Sequence, residues 1–292
     1  VTAPLCSLVV NIDTDPDPAR EWQTDASILA KYNAMQRILA IAGAPAAWCV
    51  LTGPICRTRF LEPPFLQFWR EQRSAGADLV LHAEEDLYGP PPGKTDGSSS
   101  YLDTGHMRAV ITAAVQRMRA SSLDFDAYRG GYHGLTPDIA GIVRGLGVMI
   151  DLSCAPGIVW PEKAASWAGA PLSAYWMTPA RPARPAPAGA TDVMFEVPFA
   201  WDGRSIILSR RFVIGESFMI NEFSTLAAMQ AVWDAVQARA AETGQAQTVS
   251  MITHTYGIDR PEYSERLTAI LRYVTQTGGR FVTPRQALAE AA

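Results

Sequence analysis

Acids and histidines stand at the ends of three short apolar runs in this chain. Residues 8–12 (LVVNI) lead into Asp13-Thr14-Asp15-Pro16-Asp17. Two carboxylates at i and i+2 face one site if the strand has already given way to a loop. Crowding raises the pKa of one of them unless a cation neutralises the pair. A divalent metal on one would leave the other ionised and available as a base. The same residues also fit a solvated turn in which Asp13 or Asp15 accepts from a backbone N–H. Residues 78–81 (DLVL) run into His82-Ala83-Glu84-Glu85-Asp86. If a helix starts here, positions 82 and 86 share a face, and imidazole with carboxylate suits zinc, manganese or iron(II). The alternative is an acidic helix start favoured by the helix dipole. Met251-Ile252-Thr253-His254 ends a third run. Its imidazole suits a general acid beside a bound substrate, or a core histidine with both nitrogens satisfied. A fourth segment is Tyr128-Arg129-Gly130-Gly131-Tyr132. Arg129 can grip a carboxylate bidentately and keep it ionised, or lie at the surface of a turn, and the glycines permit close backbone approach. His106 fits an exposed helix start, and His133 could border a cleft.

The elements that must position these residues alternate along the chain. Strands are expected at 8–12, 47–51, 78–81, 126–129, 147–152, 194–198, 205–213, 248–252 and 280–283. Helical spacing marks 26–42, 61–74, 106–120, 138–146, 226–242, 262–277 and 284–291. Asp103-Thr104 and Thr136-Pro137 are N-terminal signals for two of these helices. Residues 88–100 (YGPPPGKTDGSSS) form a loop by composition. The Gly93-Lys94 pair there lacks the glycine spacing of a phosphate loop. Residues 155–190 are rich in Pro and Ala and are expected as an excursion from one domain spanning 1–292. No internal repeat is visible. Strands alternating with helices over the whole length predict an α/β chain with a single (β/α) barrel.

Composition narrows the function classes. The chain has 292 residues, 48% of them hydrophobic and 18% charged, which is ample for a large core. Its formal charge is −4, without the clustered Lys and Arg that a nucleic-acid groove requires. No apolar run reaches the roughly 18 residues of a membrane span. The first ten residues lack the basic start and apolar core of a secretory leader. Cys6, Cys49, Cys56 and Cys154 show no CxxC or zinc-finger spacing. They fit reduced cysteines packed as small hydrophobes, and a cytoplasmic location is the expectation.

In their order along the chain, these segments resemble the polysaccharide deacetylase family, carbohydrate esterase family four, with its NodB-type homology domain. The resemblance runs from about residue 8 to residue 288. Asn11-Ile12-Asp13-Thr14-Asp15 is similar to the family's opening D-x-D motif, and Asp78-Leu79-Val80-Leu81-His82 to the approach to its H-x-x-x-H motif. Tyr128-Arg129-Gly130-Gly131-Tyr132 resembles the third motif, and residues 146–153 (LGVMIDLS) the stretch that follows. Met251–His254 and residues 270–288 resemble the family's last motif and closing elements. The family implies a distorted seven-stranded barrel and metal-dependent removal of N-acetyl groups from an amino sugar or polysaccharide. It makes Asp13 the base, oriented by Arg129, and His254 the acid that protonates the leaving amine. It makes Asp15 and His82 metal ligands, of a zinc ion in most relatives.

This sequence departs from the family at Asp86, which stands where a second histidine is expected. An Asp15–His82–Asp86 set is harder than one with two histidines, which shifts preference from zinc toward manganese or magnesium. Glu84 and Glu85 are alternative ligands. Trp160, Trp167, Tyr175 and Trp176 in the excursion could stack on sugar rings or pack in the core. Two other functions fit the same residues. One is hydrolysis of another amide or a cyclic imide; the other is a glycan-binding module without catalysis.

Overall fold

The computed structural model describes residues 5–15, 24–51, 61–83, 100–204, 207–208 and 218–292. In chain order the elements are β1 (Cys6–Asp13), α1 (Asp25–Ala42), β2 (Ala46–Leu51), α2 (Phe65–Ser74), β3 (Asp78–Ala83), α3 (Thr104–Ala120), β4 (Ala127–Gly130), α4 (Pro137–Gly145) and β5 (Ile150–Asp151). Then come β6 (Ile158–Trp160), β7 (Ala165–Ser166), β8 (Tyr175–Thr178), β9 (Arg181–Pro185), β10 (Met194–Glu196) and β11 (Ile207–Leu208). The chain finishes with α5 (Leu226–Thr243), β12 (Gln247–His254), α6 (Pro261–Gln276), β13 (Arg280–Phe281) and α7 (Pro284–Ala291).

The main sheet follows the order β12-β1-β2-β3-β4-β5-β10-β8-β9, with β13 beside the start of β1. Every pairing from β12 through β10 is parallel. Parallel neighbours need long crossovers, and the helices between them supply these. Beyond β10 the chain returns toward β12. Ser250 N–H donates to Pro198 O and Ala200 N–H to Ser250 O, both at 2.8 Å. Phe199 bridges to Ser250 there, so the two ends of the parallel path meet.

Side-chain alternation sorts the strands into an inside and an outside. Val9, Ala47, Cys49, Val80, Ala127, Ile150, Leu152, Phe195 and Val197 form one buried cluster within the ring of strands. Leu8, Val10, Ile12, Trp48, Val50, Leu79 and Leu81 belong to a second cluster shared with the helices. Hence these strands are apolar on both faces, as a helix-covered parallel sheet requires. Val282 and Ala287 join the inner cluster from the chain's end. Asp78, fully buried at the start of β3, accepts from Arg285 N–H at 2.8 Å and from its side-chain Nε at 2.6 Å. That pairing latches α7 onto the N-terminal ends of the strands.

Helix starts carry the expected caps. Thr24 and Ser27 form a capping box on α1; Asp103 caps α3 through His106 N–H; Thr136 caps α4 with Pro137 as its first residue. Two expectations change. The strand expected over 147–152 is confined to Ile150–Asp151. The excursion over 155–190 is built into the sheets rather than standing off as a loop: β8 pairs antiparallel with β10, and β9 with β8. Tyr175 and Met177, two apart on β8, are both buried and give that segment a strand's period. Of the strand expected over 205–213, Ile207–Leu208 is seen and the rest lies outside the described residues. No helix among the described residues is long and apolar enough to cross a membrane.

Candidate active site

Parallel pairing fixes which residues can meet. Asp13 is the register neighbour of His254 on β12, and His82 that of Arg129 on β4. All four therefore stand at the C-terminal rim of the strands, where barrels of this class place their chemistry. The helical-face argument for His82 does not hold, because β3 continues through Ala83. His82 belongs to a strand and faces inward by alternation with Val80. Asp86, with Glu84 and Glu85, lies outside the described residues.

Thr14 explains how Asp13 and Asp15 come to face one place. Its Oγ1 donates to Cys49 O at 2.9 Å and accepts from Leu51 N–H at 3.0 Å. The middle residue of Asp-Thr-Asp is thus sewn to β2, leaving both carboxylates on the opposite side. One oxygen of Asp13, one of Asp15 and one nitrogen of His82 lie within 4.8 Å of one another. His82 Nε2 is 3.6 Å from Asp13 Oδ2 and 3.6 Å from Asp15 Oδ1.

The imidazole is set for a cation. His82 Nδ1 is 3.1 Å from Arg129 O. A carbonyl only accepts, so Nδ1 carries the proton and the Nε2 lone pair faces the carboxylates. Burial pushes His82 below its ordinary range, keeping it neutral. Three electron-rich atoms then converge, with the Arg129 and His254 side chains as the positive groups on their other sides. Asp13 Oδ1 and Asp15 Oδ1 are buried and find no hydrogen-bond donor among the described residues, apart from the weak thiol of Cys49 beside Asp13. Such a donor set fits a divalent cation.

Arg129 defines the second side of Asp13. Its Nη1 donates to Asp13 Oδ2 at 2.5 Å, and both side chains are almost fully buried. The same Nη1 is 3.3 and 3.2 Å from the two ring nitrogens of His82, so it lies against the ring face rather than in its plane. Burial pushes the Asp13 carboxyl up, but the charge of Arg129 above all, with that of His254, outweighs it, and its pKa falls below the ordinary value. Asp15 shifts the other way, raised by burial and by the charge of Asp13. Two carboxylates two residues apart are thus pushed in opposite directions.

His254 approaches from β12. Its Nε2 is 3.5 Å from Asp13 Oδ2 and 3.7 Å from Asp15 Oδ2. Its Nδ1 is 3.0 Å from Glu222 Oε2. Glu222 Oε1 accepts from His254 N–H at 2.7 Å and from Thr253 Oγ1 at 3.1 Å. Burial opposes charging His254, but the Glu222 carboxylate more than offsets it and lifts the pKa to about 9. Nothing in the sequence reading singled out Glu222. The available signal was the short apolar run Phe218-Met219-Ile220 ending in Asn221-Glu222, the same apolar-then-acid pattern as 8–15. Ile220 bridges to Ile252 beside the end of β12.

The other candidates fall outside this set. His133 is buried edge-on against Phe199 and Phe218, with ring centroids 5.0 and 5.9 Å away. Burial, with the charge of Arg129, holds its pKa at about 3, so it packs as a neutral ring. Trp167 and Tyr175 are buried, and Trp167 Nε1 donates to His133 O at 2.7 Å. Trp160 and Trp176 are half-buried.

Comparison with known proteins supports the fold. No protein-family model matches the chain, and no curated protein matches it. Several solved structures do. Proteins provisionally described as polysaccharide deacetylases, one from Mycobacterium smegmatis and one from Pseudomonas aeruginosa PAO1, align with TM-scores of 0.60 and 0.57 at 14% and 10% identity. These alignments cover 99% and 98% of this chain and 90% of each of theirs. An allantoinase aligns with a TM-score of 0.57 at 12% identity, over 98% of this chain and 90% of its own. The chain therefore has the α/β fold of polysaccharide deacetylases, which an allantoinase shares.

Proposed function

We propose that this chain is a metal-dependent hydrolase that removes N-acyl groups, chiefly N-acetyl, from an amino sugar or polysaccharide. One observation carries the reading. Asp13 sits between a cation-ready pair, Asp15 and His82, and a histidine whose far nitrogen is held by Glu222.

Asp15 and His82 would hold the metal ion, with Asp86 as the third protein ligand. Zinc follows from the family resemblance, and the carboxylate of Asp86 also suits manganese. A divalent cation bound there lowers the pKa of water and polarises the amide carbonyl. Asp13, ionised and oriented by Arg129, takes the proton from the attacking water. Glu222 keeps His254 protonated, so its Nε2 can give a proton to the departing amine. Arg129 keeps its own proton throughout and holds Asp13 in line.

The test is Asp13→Asn assayed on N-acetylated sugars beside a panel of small cyclic imides. Loss of general-base action costs about 10²–10⁴ in rate, with fold and cation binding through Asp15 and His82 retained. Near-normal turnover by this variant removes Asp13 from its role. Turnover of imides alone moves the substrate class.

A further inference from the structure

A second pair of carboxyls lies buried outside the barrel, away from the acids already described. Asp151 closes β5 and Glu196 closes β10, and the two are register neighbours. Ile150, Leu152, Phe195 and Val197 fill the inner cluster, so by alternation 151 and 196 project to the outer face. Both are fully buried. Asp151 accepts from Ser153 Oγ at 2.8 Å and from Ser153 N–H at 3.0 Å. Glu196 Oε1 accepts from Cys154 N–H at 3.1 Å, while its Oε2 meets no N–H or O–H donor among the described residues. Among the described residues, none of the groups that act most strongly on either acid is a cation. Two contacting, fully buried carboxylates without a counter-ion cannot both be ionised.

One arm of the network leads through Ser153 to β4. Ser153 Oγ accepts from Gly130 N–H at 2.8 Å, and Gly130 directly follows Arg129. A side chain on Gly130 would collide with Gly134 O at 1.8 Å, so this peptide has little freedom to move. We propose that Asp151 and Glu196 share one proton, and that this acid pair is a positioning device that holds the end of β4, and so Arg129, through Ser153. The retained proton completes the hydrogen-bond count. Glu196 Oε2–H donates to Asp151, which then accepts from three donors and fixes the Ser153 hydroxyl to receive Gly130.

The surroundings keep the proton in place. The titratable groups facing the pair are Cys154, just beyond β5, and Tyr175 on β8. Tyr175 Oη donates to Pro182 O at 2.7 Å and lies 4.0 Å from Cys154 Sγ. Burial raises both groups, so both stay neutral. Burial and the Asp151 charge likewise raise Glu196 well above the carboxylate range.

The role in catalysis rests on the amide-hydrolase reading, but the proton can be tested without a substrate. Urea unfolding of the whole chain is followed from pH 5 to 8 for the parent and Glu196→Gln. The folded parent holds one proton more than the unfolded chain. Its unfolding constant therefore rises by up to about tenfold per pH unit relative to Glu196→Gln. Parallel curves overturn the shared proton. Glu196→Gln keeps a donor to Asp151, so its kcat stays at the parent level. Glu196→Leu removes the donor and lowers kcat about tenfold or more at unchanged KM, because Arg129 loses its alignment. The guanidinium ¹⁵N signal of Arg129 reports the same alignment without turnover. It is protected from exchange in the parent and Glu196→Gln and lost in Glu196→Leu. Equal impairment of the two variants, or an undisturbed Arg129 signal in Glu196→Leu, overturns the positioning role. If Glu196→Leu does not fold, the comparison of parent with Glu196→Gln decides. If Asp13→Asn shows the amide-hydrolase reading to be wrong, the pH curves still stand.

Discussion

Replacing Arg129 with Met should expose how much of the site's stability rests on one ion pair. Arg129 and Asp13 meet at 2.5 Å with side chains 4% and 1% exposed. At an effective dielectric near 20, charges at that distance attract by about 7 kcal/mol, and desolvation offsets much of this. Removing one partner of such a pair leaves the other charge buried and costs about 3–5 kcal/mol. Arg129→Met keeps the aliphatic stem but strands the Asp13 carboxylate beside Asp15. The loss is a large part of the roughly 5–15 kcal/mol that holds a typical domain together. Asp13→Asn should cost less, because the remaining Arg129 charge still acts on Asp15. The combined variant leaves neither charge stranded. Urea unfolding of the four proteins at pH 7 closes a double-mutant cycle with a coupling of about 2–3 kcal/mol, within the range for contacting residues. The double variant should be more stable than Arg129→Met alone. Strict additivity, or a double variant less stable than both single ones, would refute the pairing as the source of the stability.

Two further outcomes follow from the same geometry. Chelator-stripped protein titrated with zinc or manganese should gain about 2.7 kcal/mol at a hundredfold excess over Kd. Asp15→Asn and His82→Gln should lose that gain in thermal unfolding, and an undiminished gain in both would exclude them as ligands. Glu222→Gln should move the alkaline limb of kcat/KM from about 9 toward the ordinary histidine value near 6.5. The sign follows from the role: an acid must be protonated, so activity falls as pH rises through its pKa. A limb that does not move in Glu222→Gln detaches Glu222 from the proton donor.

Much of this arrangement was legible because parallel strands carry a plain signal. The runs 8–12, 47–51 and 78–81 are apolar on both faces, and the candidates Asp13 and His82 each directly follow such a run. Register converts those positions into proximity, since Asp13 must sit beside His254 once β1 pairs with β12. Other parts depend on tertiary contacts that leave no local pattern. Glu222 sits in a segment joined to β12 by a single bridge at Ile220, too short to have a period. The excursion reads as a loop because Pro and Ala dominate it, while what makes β8 a strand is its pairing with β10. His82 was open to a helical reading because four acidic or small residues follow it, whereas its backbone pairs with β2 and β4. Asp151 reads as part of the strand expected over 147–152, and only burial beside Glu196 gives it a role.

The fold does not choose the substrate, because deacetylases and an allantoinase share it. The choice has to come from the site, and on the proposed reading it rests on the proton donor. An imide nitrogen can leave as an anion stabilised by its second carbonyl, and so needs little help from an acid. The amine released from a linear N-acyl sugar is a poor leaving group until it is protonated. A histidine lifted to about 9 by Glu222 is almost wholly protonated at neutral pH, and its Nε2 stands 3.5 Å from Asp13 Oδ2. Building that donor required burying the Glu222 carboxylate and tying it to His254 N–H, Thr253 Oγ1 and the ring itself. Such an arrangement is of use where the leaving nitrogen must be protonated, which favours the linear amide over the cyclic imide.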